Sequence, residues 1–90
     1  MSGISKLTVS TVAQAGGSIL VEDSIRARVV IQNNDGANNV VIKPDALPGS
    51  DTDGIVLIPG ARQEITGRNE WFAKSNNVAG TLISVLETSE

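Results

Sequence analysis

Asp51-Thr52-Asp53-Gly54 sets carboxylates at alternate positions ahead of a glycine, which is how a calcium-binding loop opens. A complete loop needs a third oxygen ligand at the next alternate position and a distant Glu in register. Here Ile55 follows the glycine, and the nearest later acid is Glu64. Asp-Gly ahead of a strand is ordinary turn chemistry, so no metal is assigned. Glu22 and Asp23 are adjacent, and neighbours in a strand point to opposite faces, which makes them a poor acid–base pair. A glycosidase-like pair would need Asp51 or Asp53 to converge with Glu64 or Glu70 from separate strands. Spacing along the chain neither supports nor excludes that.

The remaining chemistry is sparse. The chain has no histidine, cysteine or tyrosine, so the usual proton shuttle and the readiest nucleophile are both missing. A serine nucleophile would need a lysine base, and Lys74 and Ser75 are adjacent instead of at Ser-x-x-Lys spacing. Gly16-Gly17 and Pro59-Gly60 precede no Lys-Ser or Lys-Thr pair, so neither is a phosphate loop. Trp71 and Phe72 are the only aromatics, and as strand neighbours they expose at most one ring, with the other in the core. These features describe a non-enzymatic protein that works by shape and contact and needs no cofactor.

The elements that hold these residues read as strands. Leu7–Gln14 alternates, with Leu7, Val9, Thr11 and Ala13 on one face. Ala15–Ser18 breaks it, and Ile19–Val21 is a short second strand. Ile25–Gln32 turns Ile25, Ala27, Val29 and Ile31 inward and Arg26, Arg28 and Gln32 outward. Asp35-Gly36 within the Asn-rich stretch 33–39 predicts a hairpin turn, with Val40–Lys43 returning as the partner strand. Asp45–Asp53 reads as an exposed loop with one helical turn near Asp45-Ala46-Leu47. Gly54–Ile58 is apolar on both parities, as expected of a strand covered on both sides. Arg62–Thr66, Glu70–Lys74 and Ala79–Glu87 complete the set. The prediction is an all-β fold, a small antiparallel β-sandwich or jelly-roll-like barrel of about eight short strands.

Ninety residues make a single β domain spanning 1–90, with residues 1–6 as a candidate N-terminal arm. No disulfide or His/Cys zinc site can brace so small a core, and self-association would bury additional apolar surface. A homo-oligomer is therefore expected. The net charge of −3 and the scattered basic residues make phosphate backbones and anionic lipids poor partners, so neither nucleic acid nor membrane is assigned. Met1–Lys6 lacks the pattern of a signal peptide and no apolar run is long enough to span a bilayer, which predicts a soluble chain made in the cytoplasm.

Five segments carry a resemblance: Arg28–Asn33, Asn39–Ile42, Asp53–Gly60, Trp71–Ser75 and Leu82–Glu87. Their strand–Gln-Asn–turn–strand unit, the Gly-Ile-x-Leu-x-Pro-Gly strand and the closing strand ending in Glu resemble small β-sandwich structural proteins of tailed bacteriophages. The similarity covers residues 25 to 88, and its motifs are mainly turn and strand punctuation. It implies a virion component, most specifically a head decoration (cement) protein that binds the major capsid protein lattice as a homotrimer. A tail or fibre module contacting a host-surface glycan or protein is the alternative. The resemblance transfers no catalytic residues. Candidate partner contacts are Ile4, Leu7, Arg26, Arg28 and Trp71.

Overall fold

A computed structural model describes the backbone of residues 4–20 and 26–89, and the side chains of residues 6–20 and 28–88. Within them the all-β expectation holds, with eight strands and no helix. They are β1 (Ile4–Val12), β2 (Gly17–Leu20), β3 (Arg26–Asn33), β4 (Val40–Pro44), β5 (Ile55–Leu57), β6 (Arg62–Thr66), β7 (Trp71–Ser75) and β8 (Thr81–Ser89). Two four-stranded sheets form, in the orders β1-β8-β3-β6 and β2-β7-β4-β5. Every pairing is antiparallel, and consecutive strands alternate between the sheets over most of the chain, which is a jelly roll.

Alternation decides which side chains reach the space between the sheets. Val29 and Ile31 of β3, Val40 and Ile42 of β4, Trp71 and Ala73 of β7, and Ile83 and Val85 of β8 are all buried there. Val12, Leu20 and Leu57 close the margins. The inward positions continue into polar residues at one end of the sandwich. Asn33, Ser75 and Thr81 follow the same parity and are also fully buried. Each is satisfied. Ser75 Oγ and Thr81 Oγ1 are 2.6 Å apart, and Thr81 Oγ1 donates to the Asn39 carbonyl at 3.2 Å. Asn33 Nδ2 donates to the Asn38 and Leu57 carbonyls, both at 2.8 Å.

The structure corrects several local expectations. The Asn-Asp-Gly segment is not a hairpin turn, because β3 pairs with β6 and β8 while β4 pairs with β5 and β7. Segment 34–39 instead carries the chain from one sheet to the other, organised by side chains. Asp35 Oδ1 accepts from the Ala37 and Asn38 amides at 2.8 and 3.1 Å, and Asn33 Oδ1 accepts from the Asp35 amide at 2.9 Å. These backbone bonds, Ala37 first, hold the Asp35 carboxyl below its ordinary pKa.

No helical turn forms at 45–47. Asp45 has φ of 67°, a left-handed conformation that stops a right-handed helix. Gly54–Ile58 is not covered on both sides, because β5 is a three-residue edge strand that buries only Leu57 and leaves Ile55, Val56 and Ile58 exposed. Val40-Val41-Ile42 is the run buried on both parities. β1 begins at Ile4, so positions 4–6, assigned to the N-terminal arm, belong to the first strand.

Candidate interaction surface

The four carboxylates that could have formed an acid pair are each taken up separately. Asp51 Oδ1 lies 2.6 Å from Lys74 Nζ, and Asp53 Oδ2 lies 2.9 Å from Lys43 Nζ. Glu64 pairs with Arg28 at 3.4 Å, and Glu70 accepts from Ser18 Oγ at 2.7 Å. Among the described residues no three metal-ligating side chains cluster. Glu22 and Asp23 lie outside the described residues. Between the sheets the inward side chains of β3, β4, β7 and β8 form the apolar core.

The two outer faces of the sandwich differ. On the β2-β7-β4-β5 sheet, Lys43 and Lys74 reach up to Asp53 and Asp51 and hold the 45–54 loop across the face. Asp53 Oδ2 also accepts from the Gly49 amide at 2.7 Å. That bond first, and the Lys43 ammonium second, keep the Asp53 carboxyl below its ordinary pKa. Gly54 closes the loop at φ of 142°, where an added Cβ would run into the Ile42 carbonyl. Val41 is buried beneath this end of the loop.

Among the described residues the outer face of β1-β8-β3-β6 has no such loop over it. Register places Leu7 beside Leu86 and Leu86 beside Val30, which in turn is paired with Glu64. The next row runs Val9, Ser84, Gln32, Arg62, and Thr11 adjoins Leu82 beyond it. Leu7 is 63% exposed and Val9 57%, and Leu82 and Leu86 are exposed as well. These residues, with Val30, form an apolar stripe bordered along β3 and β6 by Arg28, Arg62 and Glu64. Isolated exposed apolar residues are normal, but a contiguous group on a rigid sheet marks a contact surface. The ion pair of Arg28 with Glu64 is solvent-exposed and contributes little by itself, at about 0–1 kcal/mol.

Of the five contact residues expected from sequence, Leu7 sits in this stripe and Arg28 at its border. Trp71 does not join them. It points inward from β7 and is only 8% exposed, so it is a core residue, while Phe72 takes the outer side and is half-buried. The side chains of Ile4 and Arg26 lie outside the described residues. Sequence reasoning missed Val9, Val30, Leu82 and Leu86 as contact candidates. Alternation along each strand was visible, but which parity faced outward in β1 and β8 depended on the partner strand.

No protein-family model matches the chain, and no curated protein matches it. Solved structures do. The chain is similar to a cupin superfamily protein of Desulfitobacterium hafniense, with 15% identity and a TM-score of 0.57 over 94% of this chain and 66% of that one. It is similar to an RmlC-like cupin protein of Desulfovibrio desulfuricans, with 14% identity and a TM-score of 0.59 over 97% of this chain and 82% of that one. It also resembles a protein of the disulfide-linked pili that form Bacillus endospore appendages, with 12% identity and a TM-score of 0.52 over 97% and 86%. At these identities the likeness establishes the jelly-roll fold and nothing about activity.

Proposed function

We propose that this chain is a non-enzymatic structural subunit, and specifically a decoration (cement) protein that binds the outer shell of a virion head and stabilises it. The observation that carries this reading is the apolar stripe of the exposed Leu7, Val9, Leu82 and Leu86 with the half-buried Val30 on an outer sheet face. Covering such a stripe contributes about 25 cal/mol per Å² of apolar surface removed from water. A repeating shell supplies many identical sites, and a self-associated subunit engages several at once, so weak contacts add into useful avidity. The poverty of acid–base and nucleophilic side chains, and the separate partners of Asp51, Asp53, Glu64 and Glu70, favour contact over turnover. The sequence resemblance to tailed-phage structural proteins supplies the particle. In this reading the protein is made in the host cytoplasm and resides on the virion, with the capsid lattice and itself as partners.

The test is co-sedimentation of the purified protein with undecorated expanded heads. We expect it to pellet at a fixed ratio to shell subunits, and Leu86→Lys to weaken that binding while leaving the isolated protein folded. A chain that stays in the supernatant with every head preparation overturns the cement reading.

A further inference from the structure

Four strands lie at the edges of the two sheets, and three of them are blunted. β5 has three residues, and β2 has four with a register shift between Ser18 and Leu20. β6 has five residues and carries Arg62 and Glu64. Short length, charge and bulges are the usual means by which a sheet edge is kept from pairing with another chain. β1 is neither short nor bulged. It runs nine residues in unbroken register with β8, contains no proline or glycine, and has Lys6 as its single charge. Among the described residues no strand pairs with its other side.

We propose that the free edge of β1 pairs antiparallel with β1 of a second copy across a two-fold axis at Thr8. The register follows from the strand's own sequence. With Thr8 on the axis, Leu7 lies opposite Val9 of the other copy, Lys6 opposite Ser10, and Thr8 opposite Thr8. Shifting the axis to Lys6 sets the two ammonium groups against each other, which is unfavourable directly across a ladder. Moving it to Leu7 or Val9 shortens the ladder and separates the Leu–Val pairs. The Thr8 register uses all nine positions, its Leu7–Val9 and Thr8–Thr8 pairs are of the kinds that stabilise cross-strand contacts, and Lys6 faces the uncharged Ser10.

Leu7 and Val9 point to the outer face. Pairing therefore fuses the two apolar stripes into one patch across a continuous eight-stranded sheet. Isologous pairing makes a dimer, where sequence had suggested a trimer. The pairing does not depend on the virion assignment.

The experiment is sedimentation velocity across a concentration series, with substitutions at the exposed Ser10 that leave the core untouched. We expect a dimer for the unmodified chain. Ser10→Lys faces Lys6 of the other copy twice per dimer and should raise the dissociation constant about 3- to 10-fold. Ser10→Glu should lower it by a similar factor, and Lys6→Glu combined with Ser10→Lys should restore it. A monomer up to about 1 mM, which corresponds to negligible affinity, overturns the proposal. So does a trimer, or a dimer indifferent to both Ser10 substitutions. Head binding by a monomer would refute the pairing alone, and a dimer that ignores heads would refute the cement reading alone.

Discussion

Replacing Asn33 by alanine should remove a large fraction of the stability of this domain. Asn33 is completely buried where the chain crosses between sheets, and its side chain makes three hydrogen bonds. Nδ2 donates to the carbonyls of Asn38 and Leu57, and Oδ1 accepts from the Asp35 amide. Each such bond contributes about 1 kcal/mol net, but a buried partner left unsatisfied costs about 1–3 kcal/mol. The Leu57 bond is buried, whereas Asn38 and Asp35 are half-buried and can recover part of their loss from water. The expected cost is therefore about 3–5 kcal/mol. A chain of this length has a total stability of about 5–13 kcal/mol.

Trp71, the one tryptophan, lies in the core, so its fluorescence through a urea titration reads the transition directly. Protein concentration must be held fixed if copies associate. Asn34→Ala, one residue on and exposed, should change stability by less than about 0.5 kcal/mol. Asn33→Asp adds a pH signature. The carboxylate keeps the bond from the Asp35 amide but faces two carbonyls it cannot donate to. Burial raises its pKa above the unfolded value of about 3.9, so the defect should be largest at neutral pH and shrink as acid protonates the group. A loss below about 1 kcal/mol for Asn33→Ala would refute the view that this side chain organises the crossing.

Two further outcomes follow from the loop over the second sheet. Gly54→Ala would require the new methyl to displace the Ile42 carbonyl from a backbone at φ of 142°, and should cost at least about 1–3 kcal/mol in the same titration. The Asp53 carboxyl has a depressed folded pKa, so its stabilising effect is complete above the ordinary carboxylate range and is lost as pH falls through the folded value. The melting temperature of the unmodified chain should therefore fall more steeply below about pH 4 than that of Asp53→Asn. Parallel curves would show that the contact does not matter.

Much of the architecture was present in the order of residues alone. A side chain's face in a strand is set by parity, so Val29 and Ile31 could be assigned inward and Arg28 outward without coordinates. The lack of His and Cys side chains was likewise legible there. What neighbours could not reveal was which strand each one meets. Asn-Asp-Gly is compatible with a hairpin and with a sheet crossing. The choice fell to long-range pairing of β3 with β8 and β4 with β7, and to Asn33 reaching the Leu57 carbonyl 24 residues away.

Trp71 and the apolar run at 54–58 show the same division. Both have the composition of either a contact or a core, and the parity of the residue together with the place of its strand in the assembled sheets decides. β7 is central and takes its ring inward, while β5 is an edge and leaves most of its apolar residues in solvent. Local sequence specifies the pleat, because sterics act between neighbours along the backbone. Burial belongs to the assembled sheets, because water is excluded only by surfaces that meet from distant parts of the chain.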